Sequence, residues 1–197
     1  MTYSNRQLEI IQAATKLIGD KGIQNLTTKN LAREIGFSEP ALYRHFKGKT
    51  EILACVLDFY REKLQEGIGR INELELSGIM KLREIIEFQF DNFSNNPAIV
   101  MVIFAETSFQ NEKVLSEAVL NILTEKKARV VAIIETGQAD GSIRQDVNAD
   151  YLASFFMGSM RFTILKWRLS AYSFDLKKEG KSLWKAAEKL LGNVNAV

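Results

Sequence analysis

Five residues between Tyr43 and Lys49 carry side chains that can bind anionic oxygens. Tyr43 and His45 supply a phenol and an imidazole, which can donate hydrogen bonds to phosphate oxygens. Arg44, Lys47 and Lys49 add positive charges. Lys49 also lies where a helix is predicted to begin, and the free N–H groups of a helix N-terminus attract anions. This spacing makes the segment a candidate phosphate-binding surface.

Two short helices are predicted to position these side chains. The first opens at Thr27, whose hydroxyl can cap the first turn, and ends at Gly36, the residue type best suited to a left-handed C-terminal cap. Phe37 is the apolar residue of the turn. The second helix is capped by Ser38 and carries Pro40 in its first turn, where a missing N–H costs nothing.

Apolar side chains in these helices lie four residues apart and are expected to face inward. They are Leu31, Ile35, Leu42 and Phe46. The outward face of the second helix then carries Pro40, Tyr43, Arg44 and Lys47. Two short helices, a turn with glycine, and an aromatic and basic outer face form the plan of a helix-turn-helix.

The stretch LTTKNLAREIGFSEPALYRHFKGKTEIL closely resembles the signature of the TetR family of bacterial repressors. That signature has a Thr-led helix, then Gly-hydrophobic-Ser, then Leu-Tyr-x-His-Phe and a Lys that opens the next helix, and this chain fills each position. The match covers roughly residues 5–55. The other three quarters of the chain fit the family only in helix pattern and length.

The resemblance implies an all-α fold of about nine helices in two domains. A three-helix helix-turn-helix domain would occupy residues 1–50, and a helical domain for ligand binding and dimerisation would occupy residues 51–197. Helical periodicity agrees and predicts helices at residues 4–18, 27–36, 38–46, 49–69, 79–93, 98–109, 112–136, 149–172 and 176–191. No stretch shows the alternation of a strand.

The resemblance also implies which residues contact the DNA backbone. Tyr43, His45 and Lys49 match positions that contact phosphates in the family, and Thr28 and Lys29 match positions that meet the backbone or a base edge. Arg44 and Lys47 would add ionic contacts. The alternatives are that Tyr43 is a packing aromatic and that His45, the single histidine, is an ordinary surface or core residue.

Base reading would fall to Glu39, Pro40, Ala41 and Tyr43. Pro40 and Ala41 can make apolar contact with a thymine methyl group. Glu39 is unfavourable beside a polyanion unless it accepts a hydrogen bond from a cytosine amine. The alternative for Glu39 is an acid that is stabilised by the dipole of the helix whose first turn it occupies.

The charge distribution supports a separate role for the first 50 residues. They contain eight Lys and Arg against four Asp and Glu, a net charge of +4, whereas residues 51–197 contain eighteen against twenty, a net charge of −2. The positive excess therefore lies in the segment with the helix-turn-helix, as expected for a phosphate-facing domain on a near-neutral body.

Composition limits the class of protein. Apolar residues make up 46% of the 197 residues, enough for a full core. The one cysteine, Cys55, excludes an internal disulfide and fits a reducing cytosol, and no signal peptide is visible. The longest apolar run, residues 98–105, is far shorter than the ~20 residues of a membrane span. We expect a cytoplasmic, nucleoid-associated protein that does not enter membranes.

Enzymatic chemistry has no support in the sequence. One His and one Cys form a catalytic pair only if they meet, and no HExxH, CxxC, GxSxG, P-loop or GxGxxG motif occurs. The count of His and Cys also excludes a clustered metal site. No catalytic residue, metal or cofactor is expected.

Aromatic residues and methionines recur at helical spacing in the body of the chain, where each one is by itself most simply a core residue. The family places an effector pocket among these helices, and flexible Met and Phe side chains suit an adaptable apolar cavity. The predicted pocket residues are Phe88, Met101, Phe104, Glu106, Phe156, Met160 and Arg161. The alternatives for the two charged residues are a solvent-exposed helix end for Glu106 and a buried or interfacial salt bridge for Arg161. The expected ligand is hydrophobic or amphipathic, either acyl-chain-like or aromatic.

The last two helices are the candidates for a homodimer interface, because the eighth is apolar on more than one face and so must be buried twice. The predicted interface residues are Phe155, Ile164, Trp167, Leu183, Trp184, Ala187 and Leu191. The alternative is a large monomeric core. A two-fold dimer would read two half-sites of palindromic operator DNA, about 34–36 Å apart or a multiple of that distance.

Three functions remain open at this point. The first is a homodimeric repressor that a small ligand releases from its operator. The second is an architectural or cell-division DNA-binding factor of the same fold without a small-molecule inducer. The third is a helical enzyme or carrier of a lipid-like molecule, which the helix-turn-helix segment argues against.

Overall fold

The computed structural model describes residues 3–105, 109 and 112–193 of the chain. Nine α-helices lie in these ranges: α1 (Asn5–Lys21), α2 (Thr28–Glu34), α3 (Glu39–Tyr43), α4 (Lys49–Asn72), α5 (Gly78–Asn95), α6 (Pro97–Ile103), α7 (Lys113–Ala139), α8 (Ala149–Leu169) and α9 (Leu176–Leu191). A 3₁₀ turn, Ile23–Asn25, joins α1 to α2. The described residues contain no strand, only an isolated bridge between Ile143 and Gly192. The predicted all-α fold is confirmed.

The described helices form two compact units. The first lies within Met1–Lys63 and Asn96–Ile122, and the second within Leu64–Asn95 and Leu123–Val197. The two units are not consecutive segments of the chain. Helices α4 and α7 each contribute residues to both units, and α6 belongs with the N-terminal helices. The functional boundary at residue 50 stays a prediction.

The first unit is held together by α1. Its N-terminus has a capping box, in which Ser4 and Gln7 bond to each other's backbone N–H groups. Ile10, Ala14 and Leu17 are buried, and α1 packs against α2 and α6. Near its C-terminus, Gly19 lies so close to α6 that an added Cβ would stand 2.5 Å from the Cβ of Ala98. This helix therefore supports the short helices that follow it.

The second unit is built on packing of α5 and α8 against α9. Gly180 lies in the middle of α9 because a Cβ there would stand 2.4 Å from the ring of Phe90. Gly78 and Gly137 allow the backbones of α5 and α7 to touch, since a Cβ on Gly78 would lie 2.3 Å from the Cα of Gly137. Two helices in this unit thus approach α5 at positions without a side chain.

Several helix ends differ from the prediction; α1, α4 and α7, for example, each extend three residues further, to Lys21, Asn72 and Ala139. Helix α6 ends at Ile103 rather than at residue 109. Helix α8 ends at Leu169 because Ala171 and Tyr172 adopt left-handed backbone angles, with φ of 53° and 61°. The N–H of Tyr172 donates to the carbonyl of Trp167 at 2.9 Å, which closes the helix without glycine. No helix in the described ranges is long and apolar enough to cross a membrane.

Candidate nucleic-acid interface

The helix-turn-helix geometry follows from local hydrogen bonds in the first unit. The hydroxyl of Thr27 accepts from the N–H of Asn30 at 3.1 Å, as predicted for the start of α2. At the other end, Gly36 has a φ of 69°, and the N–H of Phe37 donates back to the carbonyl of Ala32 at 2.8 Å. Because a Cβ on Gly36 would meet nothing within 4 Å, glycine is needed there for its backbone angle and not for space.

Helix α3 is only five residues long, so packing rather than length must hold it in place. Leu42 and Phe46 are buried, and so is Leu31 of α2, in agreement with the predicted inward face, whereas Ile35 is only half-buried. Ser38 occupies the predicted N-cap position with an extended backbone, although its hydroxyl makes no capping hydrogen bond.

A hydrogen-bonded chain of three side chains joins the two helices on their outer side. The Thr28 hydroxyl donates to the carboxylate of Glu39 at 3.0 Å, and the Tyr43 hydroxyl lies 3.5 Å from the Thr28 oxygen. All three are among the residues predicted to contact DNA, and the structure brings them together. No pattern in the sequence predicts the contact between Thr28 and Glu39, because the contact depends on the angle between α2 and α3.

The basic side chains around this chain of hydrogen bonds are available to an anion. Lys29, Arg44 and Lys47 are exposed and form no salt bridge with any residue that the structure describes. Lys49 is also exposed, and its ammonium donates to the carbonyl of Ile23 at 3.2 Å. These four cations can therefore neutralise phosphates without first breaking an ion pair to another described residue.

The remaining predicted DNA-contact residues have mixed exposure. Pro40 and Arg44 are exposed, whereas Ala41 and His45 are half-buried. Tyr43 is 52% exposed, so it is not a packing aromatic in the free chain. At the start of α4, the Glu51 carboxylate accepts from the backbone N–H of Lys47, which places an acid in the helix's first turn. The phosphate-binding contribution there therefore rests on the Lys49 side chain more than on free backbone groups.

The predicted pocket residues divide between the two units. Met101 and Phe104 lie in the first unit, and Phe88, Phe156, Met160 and Arg161 lie in the second. Glu106 lies outside the described residues. Phe156 and Met160 are buried, and Phe88 lies over Gly67 and lines a cleft of about 380 Å³ in the second unit. A common pocket for all seven residues stays a prediction.

The predicted dimer-interface residues also differ in exposure. Five of them are buried within the single chain: Ile164, Trp167, Trp184, Ala187 and Leu191. Leu183 is half-buried, whereas Phe155 is 75% exposed. Phe155 and Leu183 line a groove of about 340 Å³ along α8 and α9. Contacts with a second chain would therefore fall mainly on the exposed members.

Groups able to hold a metal ion do not occur among the described residues. Cys55 is half-buried near Tyr3 and Asp58, and burial raises the pKa of its thiol. A protonated thiol is a weak nucleophile, so this cysteine is not suited to covalent catalysis.

Comparison with known proteins agrees with this geometry. A sequence model described as bacterial regulatory proteins of the tetR family matches residues 10–56, and one described as the C-terminal region of YsiA-like protein matches residues 57–189. The nucleoid occlusion factor SlmA of Vibrio cholerae serotype O1 is 27% identical over 169 residues, which cover 75% of this chain and 86% of the relative.

Solved structures share the fold over nearly the whole chain. The fatty acid degradation regulator FadR from Bacillus halodurans superposes with a TM-score of 0.85 at 15% identity, covering 95% of this chain and 97% of the other. The transcriptional regulator FadR from Bacillus subtilis, solved in complex with stearoyl-CoA, gives 0.79 at 21% identity, covering 91% and 96%. Because the two sequence models together match most of its length, the chain belongs to the TetR family of bacterial regulatory proteins, which are DNA-binding regulators and not enzymes.

Proposed function

We propose that this regulator binds palindromic operator DNA as a homodimer and that a small hydrophobic or amphipathic ligand releases it. The observation that carries the DNA-binding part is the outer face of α2 and α3. There, Lys29, Arg44 and Lys47 are exposed and form no salt bridge within the described part of the chain, beside the exposed ring of Tyr43. Such a face supplies phosphate contacts from the cations and base contacts from Pro40 and the residues next to it.

A seam along α8 supports the dimer. Residues at spacings of four and three follow one another on its exposed side: Tyr151, Phe155, Gly158, Phe162, Leu165 and Leu169. Four of these side chains are more than 60% exposed, which is unusual for large apolar groups. Alternating steps of four and three are the heptad spacing by which one helix packs along another.

The centre of this seam is open. A Cβ on Gly158 would meet nothing within 4 Å, so a second helix can approach the α8 backbone closely there. The opposite face of α8 carries side chains that are buried within the chain itself, namely Leu152, Phe156, Met160 and Trp167. The two apolar faces of α8 thus have different uses, the chain's own core on one side and a second copy of α8 on the other.

The support for a ligand comes from the fold. It does not come from a single cavity lined by all of the predicted pocket residues. The Bacillus subtilis FadR structure of the same fold was solved with stearoyl-CoA. The second unit of this chain also buries large apolar side chains on the helices that would enclose a ligand, among them Phe90, Phe93 and Phe156.

The curated relatives favour a second candidate function. SlmA of Vibrio cholerae is named a nucleoid occlusion factor, and the aligned part covers most of both chains. By this reading the chain would bind many sites across the chromosome as a cell-division factor, with no small-molecule inducer.

Selection of genomic DNA fragments by the purified protein, with and without metabolite extract, separates the two functions. A ligand-released repressor should select a few promoter-proximal palindromes and lose them when extract is added. A nucleoid factor should select many dispersed sites that the extract does not affect. Failure to select any sequence would refute both.

A further inference from the structure

A buried lysine in the second unit has no role in the DNA-binding surface. Lys126 lies on the inner side of α7, four residues before the buried Val130 and seven before the buried Ile133. It interrupts an otherwise apolar row, and only 8% of its surface is exposed. Burial of an ammonium group is costly unless a partner compensates its charge.

The partners that the described structure gives Lys126 do not compensate its charge. Its ammonium donates to the side-chain oxygen of Gln89 on α5, an uncharged amide. The Lys126 ammonium also experiences electrostatic repulsion from the guanidinium of Arg161 on α8, which is another cation. The charged neighbours of Lys126 on its own helix are engaged elsewhere: Glu125 accepts from Gln65, and Lys127 pairs with Asp150 at 2.7 Å.

A purely structural role explains this arrangement poorly. An uncharged residue at position 126 could fill the space between α5 and α7 without burying a charge beside Arg161. Burial, with a smaller contribution from Arg161, lowers the pKa of Lys126 to about 7. The amine is then partly deprotonated in the free chain, and it would take up a proton if an anion arrived.

We propose that Lys126, together with Gln89 and Arg161, binds the anionic head group of an amphipathic ligand, with a carboxylate or phosphate oxygen accepting from the Lys126 ammonium. The apolar part of the ligand would lie among buried aromatic side chains of the same helices, such as Phe93 and Phe156. This inference rests on the proposed ligand-responsive function and specifies the chemistry of the ligand.

Titration calorimetry with matched anionic and neutral probes tests the inference. The probes are octanoate, dodecanoate and dodecyl phosphate, each compared with the alcohol of the same chain length. The wild-type chain should bind the anions about 10- to 100-fold more tightly than the alcohols, the range expected for a hydrogen bond to a charged group. Measured at neutral pH in two buffers of different ionisation enthalpy, anion binding should take up about half a proton, since Lys126 has a pKa of about 7.

Two variants distinguish Lys126 from its surroundings. Lys126→Met should lose the preference for anions and the proton uptake while it keeps binding of the alcohols. Lys127→Met is the matched control, because it removes a half-buried lysine one position away on the same helix whose charge is paired with Asp150, and it should bind like the wild type.

The outcomes separate the inference from the function on which it rests. Equal binding of acids and alcohols by the wild type, or unchanged anion binding by Lys126→Met, would overturn the anion site and leave the ligand-responsive function standing. If no probe binds, the anion site is rejected, while operator binding by the same preparation, measured by fluorescence anisotropy, still tests the regulator. The proton uptake is measured on the wild type and does not depend on folding of the variant.

Discussion

Replacement of Lys126 by Met should stabilise the folded chain, and the gain should shrink as the pH rises. Methionine matches lysine in length and carries no charge, so the variant removes the ammonium that lies buried beside Arg161. It also removes the donor to Gln89, which opposes the gain by about 1–3 kcal/mol if the amide is left without a replacement. The balance of these two effects decides the stability at neutral pH.

The magnitude follows from the pKa of Lys126, which is lowered from 10.5 to about 7 in the folded chain. Between these two pH values the unfolded chain binds more protons than the folded chain, so the free energy of unfolding of the wild type rises with pH. At about 1.4 kcal/mol per pKa unit, the charge costs roughly 5 kcal/mol below pH 7. The cost falls by about 2 kcal/mol between pH 7 and pH 9. After the lost hydrogen bond is subtracted, Lys126→Met should be more stable than the wild type by about 1–3 kcal/mol near pH 7.

Urea unfolding at pH 7, 8 and 9, at one protein concentration, measures this difference. Trp167 and Trp184 are buried in the second unit, so their fluorescence reports its unfolding. Lys127→Met is the control and should lie within about 0.5 kcal/mol of the wild type at each pH, because its salt bridge with Asp150 is exposed. A stability difference between wild type and Lys126→Met that does not change with pH would refute a titrating Lys126. A loss of stability at pH 7 would show that the hydrogen bond to Gln89 outweighs the buried charge.

Further predictions concern DNA, assembly and packing. Lys49→Ala should weaken binding to all DNA sequences and flatten the salt dependence of the affinity by about one unit, and an unchanged slope would remove Lys49 from the phosphate contacts. Glu39→Gln should change which operator is selected more than it changes overall affinity; a uniform change across sequences would argue against base reading. Phe155→Asp should give monomers in light scattering, and a persistent dimer would place the interface elsewhere. Gly78→Ala should destabilise the second unit by about 1–3 kcal/mol in urea unfolding, because the new Cβ would lie 2.3 Å from the Cα of Gly137, and an unchanged midpoint would contradict this close packing.

Features that depend on neighbours within one or two helical turns could be predicted from the sequence. Apolar residues four apart gave the buried side of the helix-turn-helix, as Leu31 and Leu42 show. The cap at Thr27 could also be predicted, because a cap is formed with residues two or three positions away. The exception is Ser38, whose hydroxyl has the right position for a cap but makes no capping bond.

The sequence could not show which apolar face of α8 packs inside the chain and which one is exposed. Periodicity showed that α8 has two apolar faces, and the predicted interface set mixed residues of both. Ile164 and Trp167 are buried in the chain's own core, while Phe155 points outward. The sequence holds the same residue types on both faces, so only the packing of α9 against α8 distinguishes them.

Lys126 stands in an apolar helical row of the sequence, but its position there does not by itself predict that the side chain is buried. A lysine at an apolar position of a helical row is ordinarily explained by a side chain that reaches solvent past its neighbours. Here the neighbouring α5 and α8 leave only 8% of it exposed. The burial depends on three helices that are distant in sequence, and this could not be derived from the spacing within α7.

The hydrogen bonds among Thr28, Glu39 and Tyr43 determine which groups this regulator can offer to a base. In the free chain the Glu39 carboxylate already accepts from Thr28 at 3.0 Å, so its negative charge is partly satisfied before DNA arrives. A carboxylate has a second oxygen and spare lone pairs, so it can keep Thr28 and still accept from a cytosine amine. Glutamine at position 39 retains an oxygen that can accept from Thr28 but loses the charge and gains donors. The Glu39→Gln variant therefore preserves the link between α2 and α3 while it changes what the residue offers to a base, and a change in operator preference can be attributed to base recognition rather than to loss of the helix-turn-helix geometry.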